Sequence, residues 1–119
     1  MEIHRHNGTL SVTDLDELNA ANARTLRTAV AAALSSGARE IEIDLSRLRS
    51  IDGTGLAALV SVYETFSLEV SDPGVAIRLI NLSSPVQQMI ELARLHHLFE
   101  IKPRGFERDS AFSTQNASR

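Results

Sequence analysis

The chain has 119 residues, 43% hydrophobic and 23% charged, which suits one globular domain with a core of its own. A net charge of −3 excludes any overall electrostatic attraction to nucleic acid, and the absence of cysteine excludes disulfides and thiolate metal sites. No apolar run approaches the roughly 18 residues of a membrane span, and Met1–His6 lacks the core of a signal peptide, so a soluble cytoplasmic protein without membrane insertion is expected.

Two short extended segments come first, around Ile3–His6 and Thr9–Val12, separated by the turn-like Asn7-Gly8. The polar stretch Thr13–Glu17 leads into a helix, in which Leu26, Ala29, Val30, Ala33 and Leu34 recur at a spacing of three and four. Ser35-Ser36-Gly37 stops it, with Gly37 suited to the left-handed position after a helix end. Glu40–Leu45 alternates charged and apolar side chains, the pattern of a strand with one face buried and the other polar. In the second helix Leu56, Leu59, Val60, Tyr63 and Phe66 share a face, and Asp72-Pro73-Gly74 makes the following turn.

Val75, Ile77 and Leu79 alternate again, which predicts a strand to about Ile80. Ser84-Pro85 opens a third helix, with serine as cap and proline at the first helical position, and Val86, Met89, Ile90 and Ala93 form its buried face. His96 and His97 end that helix, where the carbonyl end favours positive charge. Leu98–Ile101 reads as a last strand, and the domain is expected over 1–103, with 104–119 a tail, a short helix and then disorder.

Strands separated by single helices favour parallel neighbours. The half-polar central strand places the helices mainly on one face, because a strand covered on both faces is apolar throughout. The expected fold class is therefore mixed α/β, a single domain with a four- or five-stranded mixed sheet and helices packed mainly on one face.

The segment most informative about function joins the central strand to the second helix. It runs Asp44-Leu45-Ser46-Arg47-Leu48-Arg49-Ser50-Ile51-Asp52-Gly53-Thr54-Gly55-Leu56. Glycines at a helix start permit close approach of another molecule, and Asp52 is placed to cap the free amides. Small residues at Gly53, Gly55, Ala57 and Ala58 would admit a partner's backbone or helix.

This stretch resembles the signature of the STAS domain family, anti-sigma factor antagonist type. The resemblance continues upstream in Leu18–Ala23 and Leu26-Arg27, and downstream in Pro85–Leu92 and Leu95–Ile101. It implies a regulatory protein without catalytic residues, cofactor or metal. Its implied partners are an anti-sigma factor that is also a serine kinase and the phosphatase that resets the cycle. The surface implied for docking comprises Asn19, Asp52, Gly53, Thr54, Gly55, Leu56, Ala57 and Ala58. Two positions depart from the family pattern. Gly53 stands where antagonists carry the phosphorylated serine, and Asn19 stands where they usually carry aspartate. The resemblance then implies either a constitutively competent antagonist or a switch moved to Thr54. The alternative is an accessory or adaptor STAS subunit, without phosphorylation, of a phospholipid ABC transporter or a stress-sensing complex.

Other readings are weaker. Gly53-x-Gly55-x-x-Ala58 fits a dinucleotide fingerprint formally, but Ser46–Asp52 intervenes between Leu45 and Gly53, where the fingerprint needs its glycines directly after the strand. His4 and His6 share a strand face without an evident third metal ligand. No histidine neighbours a nucleophile in sequence, so catalysis is not expected. Asp44 is read as a carboxylate that bonds the following loop amides, and Arg47 and Arg49 as either a basic rim or a solvated loop.

Overall fold

The computed structural model describes residues 1–104. Its elements are β1 (Glu2–His6), β2 (Thr9–Thr13), α1 (Ala20–Ser35), β3 (Glu40–Asp44), α2 (Gly53–Glu69), β4 (Ala76–Leu82), α3 (Ser84–Leu92) and β5 (Glu100–Pro103), with one 3-10 turn at Leu95–His97. The five strands form one sheet in chain order. β1 and β2 are an antiparallel hairpin and the remaining pairs are parallel, so the fold class is the mixed α/β arrangement expected.

Asn7 (φ 50°) and Gly8 (φ 85°) both lie in the left-handed region at the hairpin. A two-residue turn with that backbone matches strand twist, and Asn-Gly adopts it at little cost. Gly37 at φ 92° likewise follows the end of α1.

The alternation in β2, β3 and β4 decides where the core lies. Leu10 and Val12, Ile41 and Ile43, and Ile77 and Leu79 are buried beneath the helices. They meet Leu26, Val30 and Ala33 of α1, Leu59, Val62 and Phe66 of α2, and Val86 and Ile90 of α3 in one cluster. The opposite face is polar. There Arg78 of β4 donates to Glu100 at 2.7 Å, Glu42 at 3.0 Å and Glu40 at 3.4 Å, a ladder of charges across three strands. Hydrogen bonding to Glu100 is the main cause that holds the Arg78 guanidinium above its ordinary pKa.

Several local expectations need correction. The buried stripe of α2 is Gly55, Ala58, Leu59, Val62 and Phe66, whereas Leu56, Val60 and Tyr63 are half-buried. The apolar content of α2 is spread around the helix, so spacing alone did not fix which stripe faces the sheet. In α3 the cap is Ser83 and Pro85 is the second helical residue; Met89 and Ala93 are exposed. His96 and His97 lie in the 3-10 turn beyond α3, because Arg94 (φ 63°) turns left-handed first. Arg104, the first residue of the expected tail, bonds to the body of the domain through Leu82 and Ser46. The expected helix and disorder after it lie outside the described residues.

Candidate functional site

Each of the three helices follows a parallel strand, so all three begin at the carboxyl end of the sheet. This is the end where α/β sheets form crevices. A crevice of ≈ 1160 Å³ lies there, lined from the entry to α1 by Asn19, from the β3–α2 loop by Arg49 and Asp52, and from the start of α3 by Ser83.

The β3–α2 loop is built from anchored and free positions in alternation. Asp44 Oδ1 accepts the Ser46 N–H at 2.8 Å, the loop-closing role read from its sequence position, and Asn81 Nδ2 donates to its Oδ2 at 3.2 Å. Leu45, Leu48 and Ile51 point into the core and fix the path of the chain. Between them Ser46, Arg47, Arg49 and Ser50 remain exposed. Arg47 Nε reaches Asp16 Oδ1 at 2.7 Å and Asp14 Oδ1 at 3.4 Å, joining this loop to the segment before α1. The hydrogen bond from Arg47 holds the Asp16 carboxyl below its ordinary value. Arg47 is therefore engaged, while the Arg49 side chain makes no bond or ion pair among the described residues and is exposed on the crevice wall.

Asp52 caps α2 from an extended backbone, φ −113° and ψ −170°. Its Oδ1 accepts from Thr54 Oγ1 at 2.7 Å and from the Gly55 N–H at 3.0 Å. The bond from the Thr54 hydroxyl, followed by that from the Gly55 amide, depresses the Asp52 pKa. Asn19 plays the same part for α1, accepting the Asn22 N–H at 3.0 Å. The departure from aspartate at this position thus preserves the cap, since asparagine and aspartate cap about equally well.

The predicted docking residues divide into two groups. Asp52, Gly53, Thr54 and Ala57 are exposed, and Asn19 and Leu56 are half-buried. Gly55 and Ala58 are buried, which corrects their assignment to the contact surface. A Cβ on Gly55 would come within 2.7 Å of Ile51 Cγ1 and 3.4 Å of Leu18 Cβ, so glycine here serves close internal packing. A Cβ on Gly53 would meet nothing within 4 Å. Sequence reasoning missed Asp16, Arg104 and Ser83 as crevice residues; only the shared end of the three helix starts could have pointed to them.

Residues 2–101 match a family model described as Mlab, STAS domain. The chain belongs to the STAS domain family. Among solved structures, this STAS domain resembles a candidate anti-sigma factor antagonist from Thermotoga maritima, with a TM-score of 0.68, 22% identity and 92% of each chain covered. It also resembles unphosphorylated SpoIIAA of Bacillus, an anti-sigma factor antagonist, with a TM-score of 0.63, 15% identity, 98% of this chain and 96% of that one covered. A third likeness is to the murine Slc26a9 anion transporter, at a TM-score of 0.63 and 23% identity, covering 85% of the STAS domain but 17% of the transporter. No curated protein sequence gives a match. Among the described residues of the STAS domain no group of three or more potential ligands could hold a metal, and no helix is long and apolar enough to cross a membrane.

Proposed function

We propose that this STAS domain is an anti-sigma factor antagonist that docks a kinase-type anti-sigma factor on the outer side of the α2 start, without itself catalysing a reaction. The observation that carries the reading is the exposed first turn at Asp52, Gly53 and Thr54, rigidly capped and set beside an open crevice. Rigid, small-featured surfaces lose little conformational entropy on association. A partner helix or loop gains its contacts there without reordering the turn.

Gly53 removes the hydroxyl that the family's kinase modifies. A phosphate at this position would add roughly −1.5 to −2 charges beside Asp52 and impede docking of any partner that must desolvate the patch. The domain is then permanently competent to dock. Thr54 is the remaining acceptor in the turn, but its hydroxyl is held by Asp52 at 2.7 Å. Phosphorylation there would both break that bond and set a dianion against the carboxylate.

The test uses the purified domain, ATP and the kinase-type anti-sigma factor recovered with it. Phosphopeptide mapping is expected to find no phosphate on the wild type and stoichiometric modification of the Gly53→Ser variant at its introduced hydroxyl. Modification of wild-type Thr54 or Ser50 would replace permanent competence with a displaced switch. The absence of a hydroxyl at position 53 also favours a second reading, an adaptor subunit of a membrane transporter with no phosphorylation cycle. Recovery of a transporter ATPase in place of a kinase-type protein selects that reading.

A further inference from the structure

The sheet ends at two edges, β1 and β5, and the two are protected differently. β5 has four residues, closes on Pro103 and shifts register where it pairs with β4. Proline and irregular pairing both oppose the addition of a further strand. β1 has neither. Its five residues run Glu2-Ile3-His4-Arg5-His6 in unbroken register with β2, and all five are exposed. Such an edge presents a row of free backbone donors and acceptors.

The hairpin fixes which groups those are. Across the two-residue turn at Asn7-Gly8, the flanking pair His6 and Thr9 exchange both backbone bonds. Alternation along an antiparallel pair then turns the N–H and C=O of Glu2, His4 and His6 toward β2. Those of Ile3 and Arg5 point off the sheet. The free edge thus offers two donors and two acceptors, on residues two positions apart.

We propose that a second copy of the chain occupies this edge, β1 against β1 in antiparallel register centred on His4, in a twofold dimer with one continuous sheet. Ile3 then exchanges backbone bonds with the partner's Arg5, and Arg5 with the partner's Ile3, so every outward group of the strand is used. Centring on His4 overlaps all five residues; centring on Ile3 or Arg5 overlaps only three. The charges on β1 discourage pairing with an apolar strand but match this register. Glu2 stands opposite the partner's His6, whose imidazole N–H donates to the carboxylate. Ile3, 38% exposed in the single copy, lies against the aliphatic stem of the partner's Arg5.

A five-residue strand pair buries less than the roughly 1,200 Å² of a standard interface, so half-association is expected at a concentration on the order of 0.1 mM. The dimer is independent of the docking reading. The start of α2 follows β3, two strands in from this edge, and pairing through β1 makes no use of it.

The test exploits the absence of cysteine from the chain. In the proposed register His4 faces its own copy as a non-hydrogen-bonded pair, the arrangement that brings opposed side chains closest. Single-cysteine variants of the full chain, Ile3→Cys, His4→Cys and His6→Cys, are oxidised mildly and followed to covalent dimer. His4→Cys is expected to crosslink at least about tenfold faster than the other two, because disulfide geometry admits few separations. Sedimentation equilibrium of the unmodified chain, from about 10 µM to about 1 mM, should show the mass rise from 13.0 kDa toward twice that value. Arg5→Pro deletes an outward N–H and leaves the β2 ladder intact, so it is expected to abolish association with an unchanged Tm. Fastest crosslinking at position 3 or 6, or undiminished association in a folded Arg5→Pro variant, would overturn the proposal. So would a chain that stays monomeric at about 1 mM, which would leave this edge to a strand of a different protein.

Discussion

The outer and inner sides of the α2 start are separated by a single residue in sequence and obey opposite constraints. On the outer side, Gly53 faces open space, and Asp52 and Thr54 complete each other's hydrogen bonding at the surface. On the inner side, Gly55 sits so close to Ile51 and Leu18 that a single methyl group has no room. The same residue type thus does two jobs within three positions. One glycine leaves a surface position without a side chain, and the other lets a helix descend onto its own loop. Substitutions on the two sides should therefore separate recognition from folding.

The largest effect is expected deepest on the inner side. Leu59→Ala, at a fully buried position, should cost about 2–5 kcal/mol of stability in denaturant unfolding. Gly55→Ala comes next. Its Cβ displaces Ile51 at Cγ1, a methylene next to the branch point and not a flexible side-chain end, and overpacking of this kind costs about 1–3 kcal/mol. At the margin between the sides, Asn19→Ala removes the α1 cap and should cost about 1 kcal/mol. Gly53→Ser, on the outer side, should leave stability within about 0.5 kcal/mol of the parent, because its Cβ enters open space.

The outer side also carries a pH signature. The Asp52 pKa is depressed in the folded chain by the Thr54 hydroxyl and the Gly55 amide, so its contribution to stability is present above the unfolded value and is lost as pH falls through the folded one. Acid unfolding curves should show that loss below about pH 4, and Asp52→Asn should remove its share of the slope there. An unchanged slope in that variant would assign the acid sensitivity to Asp16 and Asp72, whose carboxyls are also depressed, by Arg47 and by the Gly74 amide respectively.

Much of this architecture was legible in the sequence because its signals are local. Asn7-Gly8 encodes its hairpin through the left-handed backbone that those residues adopt readily, and Glu40–Asp44 alternates in sequence as it does in burial. The start of α2 was legible because Asp52 caps through a neighbour three residues away. Which side of that start faces inward was not, since Gly53 and Gly55 are identical as letters and differ only in what the fold brings against them. The same limit hid Arg104. Its bond to Ser46 spans 58 residues of sequence, and no periodicity connects them. α3 shows the intermediate case: Ser83, Ser84 and Pro85 announce a helix start, but two adjacent serines leave the capping position open by one residue.

The central claim, that partners dock on the outer side of the α2 start, is tested most directly by photocrosslinking in native cells. A crosslinking side chain at Ala57, exposed near that start, is compared with one at Leu68, 88% exposed near the opposite end of the same helix. The account predicts that position 57 captures one protein in high yield and that position 68 does not. Capture of that protein from position 68, with none from position 57, would contradict it.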